Sequence, residues 1–326
     1  MIRISRHIAL SLLILGSLSC SQSTEPKQAE EQANSEQPTQ STEQGSASED
    51  EAPVDPIESL KTLGTVRLDG DGNVIVVQIP DGKATDVTAK LLSDMTSLKD
   101  VQLTGENVTD AAIDSLAGLD KLKVLKLDGT AVGDAGLEKL QKLPALEQVY
   151  LSGTQITDAG LKHLGALPRL RRLRISNTKV TGEGMQHLKS AAKLENLDVS
   201  KTSVDNEGLR HLSEIATLTN LNLYTTNVAD GGMEHVTTMT QLTWLNLDNT
   251  TITDAALPKL KPLVNLTYLH LGRTPISDAA IENLFGLKNL TRLEVTNTQV
   301  TEQGAEKLRE ALPGCEVLSG VTDAKS

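Results

Sequence analysis

Residues 146–169 read LEQVYLSGTQITDAGLKHLGALPR, and this stretch decides the fold. Units of the same pattern begin at Leu98, Leu122, Leu146, Leu170, Leu194, Leu218, Leu242, Leu266 and Leu290, always 24 residues apart and without an insertion. A unit this short cannot bury its own apolar face. Nine of them at constant spacing imply a solenoid in which every copy stacks on the next. Within a copy two periods follow one another. Val149 and Leu151 alternate with Gln148, Tyr150 and Ser152, which predicts a strand with one buried face. Leu161, Leu164 and Leu167 then recur at intervals of three, which predicts a short helix with one apolar stripe.

The consensus L-x-x-L-x-L-x-x-T-x-[VI]-T-D-x-G-L-x-x-L-x-x-L resembles the leucine-rich repeat family over about three quarters of the chain. Its Thr-Asp-Ala-Gly-Leu variant is similar to repeats of bacterial surface and envelope proteins, and to the arrays of F-box adaptors. The resemblance implies an α/β fold: a right-handed leucine-rich-repeat solenoid (horseshoe) with a parallel concave sheet and short convex helices. Nine or ten strands are expected in register. A fold of this kind carries many unrelated binding roles.

Two columns along the repeats have expected structural roles. Thr157 and Asp158 stand just before the helical stripe, where both are expected to cap the helix start, and the Asp recurs as Asp110, Asp134, Asp158, Asp230, Asp254 and Asp278. Thr130, Thr154, Thr178, Thr202, Thr226, Thr250, Thr274 and Thr298 hold the ninth place. Many leucine-rich repeats carry Asn there, bonding the turn backbone of adjacent copies, and the hydroxyls are expected to do the same. A third column, His163, His187, His211 and His235, falls on the convex side. Neighbouring helices there should lie about 10 Å apart, too far for histidines to share one zinc ion at about 2 Å. They are read as structural and half-exposed.

The repeats are flanked by atypical segments. Residues 56–97 read as an N-terminal cap: a hairpin with the turn Asp69-Gly70-Asp71-Gly72-Asn73, and a degenerate repeat from Val74. That acidic turn lacks the Glu an EF-hand needs, since Pro80 stands in its place. Residues 98–313 are the nine repeats and residues 314–326 a C-terminal cap and tail, with Leu308, Leu312 and Val317 closing the core.

Arg3 and Arg6 precede an apolar run that ends in Gly16-Ser17-Leu18-Ser19-Cys20, which reads as a secretory signal over residues 1–19. The run falls well short of the roughly 20 residues a membrane span needs. Its end resembles a bacterial lipoprotein signal and implies lipidation of Cys20, although Ser17 stands where Leu is usual. Residues 20–55 then form an acidic linker without Leu, Ile, Met or aromatic residues, expected to be disordered. Such a tether would have a root-mean-square reach of roughly 30 Å. The expected location is the bacterial cell envelope, with the membrane reached through the N-terminal lipid.

Composition bounds the function further. A net charge of −12 argues against nucleic-acid binding. Cys20 and Cys315 are the two cysteines, so neither a disulfide framework nor a Cys/His zinc site is implied. No nucleophile–base set, phosphate loop or metal spacing appears, and the reading is a non-enzymatic protein without a cofactor. Binding is expected on the concave face, where the third, fifth and seventh places of each copy project. Tyr150, Tyr224, Trp244 and Tyr268, four of the five aromatic residues, occupy those places, with His270 and Arg292 beside them. Aromatic and Arg side chains dominate binding hot spots. Arg171, Arg172 and Arg174 form a second cluster, open to pairing with Glu147, Glu195 and Asp198 or to a ligand. The expected partner is a protein, the alternative a polysaccharide on the aromatics, Asn222, Asn246 and His270. An F-box-like adaptor is the least favoured reading, as residues 21–55 hold no helical domain.

Overall fold

In a computed structural model, residues 55–321 are described. They form one sheet of twelve strands in strict sequence order. Thr65–Leu68 pairs antiparallel with Val74–Ile79, and every later pairing is parallel. The parallel ladder thus has eleven strands, one more than the upper expectation. The additional rung is Glu316–Leu318, which pairs with Arg292–Glu294 beyond the last full repeat. A helix, Pro56–Leu63, precedes the hairpin and buries Leu60 against the core. It had no counterpart in the sequence reading. In the hairpin turn the Asp69 carboxylate accepts from the backbone N–H groups of Asp71 and Asn73 at 3.0 and 2.9 Å.

Each copy contributes seven apolar side chains to one continuous core. In the copy quoted above, Leu146, Val149, Leu151, Ile156, Leu161, Leu164 and Leu167 are all buried. Burying one such side chain is worth about 1.5–3 kcal/mol, and that gain exists only when a neighbouring copy covers it. The convex segments are short and vary in type. Asp158–Gly165 is α-helical, Glu183–Ser190 is a 3-10 helix, and Asp254–Ala256 is a single 3-10 turn running into the α-turn Leu257–Leu260. Leu167 lies past the end of its helix, in the loop that leads to the next strand.

The Asp column works differently from the expected capping. Thr157 caps its own helix, accepting from the Ala159 N–H. The carboxylate reaches across the joint instead. Asp134 accepts from the Thr157 backbone N–H at 2.9 Å and from its hydroxyl at 2.6 Å, in the following copy. The same double bond joins Asp86 to Thr109, Asp158 to Thr181, Asp230 to Thr253, Asp254 to Ser277 and Asp278 to Thr301. Asp110 holds only the N–H of Gly133, and Asn206 only that of Ala229. The glycine of the consensus makes room for this bond: a Cβ on Gly160 would overlap Asp134 Oδ1. At one joint Gly182 stands in place of the acid, and Asp205 caps its own helix through the Gly208 N–H.

The Thr column also departs from expectation. Each hydroxyl donates within its own copy, to the carbonyl three residues back: Thr154 to Leu151, Thr202 to Val199 and Thr250 to Leu247, at 2.7, 2.6 and 2.7 Å. Adjacent copies are joined at this turn by other groups: by backbone, as in Leu151 N–H to Arg174 O and Gly153 N–H to Ser176 O, and at some joints by side chains, as where Asp128 accepts from the Ser152 N–H and the Ser176 hydroxyl donates to that of Ser152. The residue before each Thr is left-handed. Gly fills that place at residues 129 and 153, and at 105 before Glu106, where the Thr column is broken, and Asn fills it at 177, 249 and 297. Lys201, Thr225 and Arg273 hold the same conformation at φ values of 56°, 53° and 50°.

Asp134→Ala is expected to lower stability by about 1–3 kcal/mol, read from the urea midpoint, because two donors at a packed joint lose their acceptor. Asp134→Asn should lose less, as Asn206 already serves one joint with a single bond. Thr225→Asn is expected to raise stability by about 0.5–1 kcal/mol in the same assay, since a β-branched residue is the most strained occupant of a left-handed position.

Candidate functional site

In-register pairing sorts the concave residues into rows that run along the solenoid. Arg172, Asn196, Asn220, Trp244, Tyr268 and Arg292 form one row. Tyr150, Arg174, Asp198, Asn222, Asn246 and His270 form the next. Tyr224 stands just past its strand, within reach of both Lys201 and Arg273.

Toward the C-terminus the predicted residues make a closed network. Trp244 and Tyr268 stack face to face, with centroids 4.8 Å apart and planes 5° from parallel. His270 meets the Tyr268 ring edge-on at 6.4 Å. The Tyr268 hydroxyl donates to Glu294 Oε1 at 2.9 Å, and Arg292 Nε donates to the same oxygen at 2.8 Å. Burial, and next the Glu294 acceptor, push the Tyr268 hydroxyl pKa upward. His270 Nε2 lies 3.8 Å from Asp248 and 3.5 Å from Glu294. Burial lowers its pKa and outweighs the opposing pull of the two carboxylates. Asp248 is buried, and Arg273 binds it with Nε at 2.9 Å from Oδ1. The same guanidinium covers the Tyr224 ring at 5.0 Å, with Lys201 at 5.7 Å.

The arginine cluster divides. Arg171 pairs with Glu195 at 2.5 Å and Arg174 with Asp198 at 3.3 Å. Both arginines are exposed, so water and salt screen these pairs and they add little to stability. Arg172 differs: it donates to the Tyr150 hydroxyl at 3.4 Å, and it has no carboxylate partner among the described residues. Lys126 and Arg174 both approach the Tyr150 ring at 5.7 Å.

Between the two groups lies an open hollow of about 370 Å³. Arg172, Arg174 and Tyr150 stand at one end and Trp244 at the other, with Asn196, Asn220 and Asn222 between them. Asn196 and Asn220 were absent from the sequence reading. The signal was available, since both occupy the third place of copies lying between Arg172 and Trp244. Asn222 Oδ1 accepts from the Tyr224 N–H and Asn220 Oδ1 from the Thr219 hydroxyl, while neither amide nitrogen has a hydrogen-bond partner among the described residues.

Other candidates fall elsewhere. His163, His187 and His235 are half-buried on the convex side, whereas His211 is buried at 8% exposure, a departure from the half-exposed expectation. Its ring packs under the helix turn beside Glu207, at 3.5 Å, and burial lowers its pKa. Among the described residues no group of three His, Cys, Asp or Glu is placed to hold a metal ion. Cys315 is partly covered by the core, and burial raises its thiol pKa. Cys20, the signal segment and nearly all of the acidic linker lie outside the described residues. Among the described residues no helix is long and apolar enough to cross a membrane.

A leucine-rich repeat family model matches residues 120–140, one copy of the array. No curated protein sequence matches the chain. Among solved structures, the chain is similar to an internalin (inlF) from Listeria monocytogenes, with a TM-score of 0.55 and 17% identity over 83% of this chain and 89% of that one. It is also similar to the structure of PEPR1–AtPEP1, with a TM-score of 0.51 and 18% identity over 78% of this chain but only 36% of that one. At such identities the likeness is one of fold. With the matched repeat recurring at a period of 24 residues and building a parallel-sheet solenoid, the chain has the fold of a leucine-rich-repeat solenoid.

Proposed function

We propose that this chain is a non-enzymatic scaffold that holds a partner protein on its concave face, tethered to a bacterial envelope through lipid on Cys20. The observation that carries the binding reading is the hollow between Arg172 and Trp244. It joins an arginine, an indole and a floor of amide donors on a face whose backbone groups are already satisfied by the ladder. Arg, Trp and Tyr are the side chains that most often dominate protein interfaces. The similar solved structure PEPR1–AtPEP1 is named for two components, and a binding role for a chain of this fold is in keeping with that. The amides also favour a second reading, in which a polysaccharide lies on the face. The Trp244–Tyr268 stack weakens it, because each ring already covers one face of the other.

The tether rests on the sequence alone: a positive start, a short apolar run and small residues before Cys20. The acidic linker behind it gives the solenoid clearance from the membrane surface.

Capture from envelope extract is expected to yield a partner protein on the wild-type chain and to lose it on a Trp244→Ala, Tyr268→Ala double variant whose folding is confirmed by circular dichroism. A partner retained by that variant moves the site off the hollow. Binding of polysaccharide, with no protein captured by either bait, supports the polysaccharide reading instead. For the tether, Cys20→Ser should move the protein from the membrane fraction to the soluble fraction; continued membrane association would show that Cys20 is not the anchor.

A further inference from the structure

Among the described arginines that border the hollow or its aromatic edge, one stands apart. Arg171, Arg174, Arg273 and Arg292 each meet a carboxylate. Arg172 meets only the Tyr150 hydroxyl, and it stands at the mouth of the hollow. Lys126, on the far side of Tyr150, is held by the ring with no carboxylate partner among the described residues. In a chain of net charge −12, two cations without counter-charges at one end of a hollow are a local reversal of sign. An acidic group is repelled over most of this molecule and drawn to that point.

The other end of the hollow has the opposite character. Tyr268 covers one face of the Trp244 indole, and Trp244 borders the hollow. Arg172 and Trp244 occupy the same place in copies separated by three strand steps. At about 4.8 Å per step the two lie roughly 14 Å apart along the solenoid. An extended peptide advances about 3.3 Å per residue and alternates its side chains, so side chains at i and i+4 point the same way, roughly 13 Å apart. The amide donors of Asn220 and Asn222 lie between, where the carbonyl groups of such a peptide would pass.

We propose that the hollow takes an extended acidic segment of the partner protein, with an Asp or Glu on Arg172 and an aromatic or large apolar side chain four residues away against Trp244. The inference rests on the binding reading above and adds the partner's chemistry. Asp198 also borders the hollow, but its carboxylate is held by Arg174 and by the Ser200 N–H. A volume of about 370 Å³ lies within the range of pockets that hold small ligands, about 300–1,000 Å³, and suits the two anchoring side chains, with the peptide backbone crossing the open top.

The test uses the full chain and fluorescent eight-residue peptides in a Ser/Asn background. One carries Glu and Trp four residues apart, a second carries them three apart, and a third has Gln for Glu. The first is expected to bind saturably, and Arg172→Gln should weaken it about tenfold, as should Gln in the peptide, with no further loss when the two changes are combined. Arg172→Glu should prefer a peptide with Lys in place of Glu, a gain that damage to the fold cannot imitate. Equal binding of the Glu and Gln peptides, equal binding of the three- and four-residue spacings, or no saturable binding at all overturns the proposal. If Arg172→Gln keeps a captured partner that the Trp244→Ala, Tyr268→Ala variant loses, the acidic segment is wrong and the concave binding face stands.

Discussion

A copy of 24 residues has seven large apolar side chains and no second layer of its own to cover them. Burial between neighbours is the constraint on which everything else in this molecule depends. It demands that successive copies meet in one fixed register, since a slip of a single residue would turn the buried set outward. Two devices hold that register. On the inner side the parallel ladder aligns residue i with residue i+24. On the outer side a carboxylate grips the amide and hydroxyl of the residue 23 positions on. Because the polar groups that fix register are spent on the joints, the concave rows are left free to vary without cost to the fold.

That freedom is visible in the rows themselves. Along the third place run Gln148, Arg172, Asn196, Asn220, Trp244, Tyr268 and Arg292, passing from cation to amide to aromatic and back, while the buried Leu between third and fifth places scarcely changes. Toward the C-terminus the row closes on itself: Glu294 receives both Tyr268 and Arg292, and the indole and phenol rings stack. A rigid, pre-paired patch of this kind loses little side-chain freedom when something docks beside it. The hollow next to it is bounded by that rigid edge and by the Tyr150 ring, which sits between Lys126 and Arg174.

The sequence made the fold legible because periodicity is a direct record of burial. Leu161 and Val149 recur where a side chain must face inward, and no tertiary knowledge is needed to see it. Polar columns were harder. Asp134 looks like a cap for its own helix because Thr157 and Asp158 have the composition of one, yet the carboxylate and its donors lie in different copies, a separation that local composition does not encode. His211 was misjudged for a related reason: its neighbours in the column are half-buried, and only the packing of its own turn covers it. The hollow was legible in part. Aromatic and charged residues drew the eye to its two ends, while Asn196 and Asn220, chemically mild and between them, gain their meaning only from being side by side.

The cross-joint clamp has one further consequence, for how such a chain can change in length. Each clamp reads only an acid in one copy and a Thr, Ser or Gly in the next, and the spacing of copies is constant. Removing one whole unit brings an equivalent acid to an equivalent acceptor and restores the same joint. Gain or loss of units by unequal recombination is therefore nearly silent to the core between Asp86 and Asp158 and between Asp230 and Thr301. It is not silent around Gly182 and Asp205, where the joint is of another kind, nor across the rows from Tyr150 to Trp244, where order along the sheet carries the chemistry. The copies from Tyr150 to Glu294, which carry the hollow and its paired aromatic edge, are thus the part whose number is fixed, and the copies before them are the part free to lengthen.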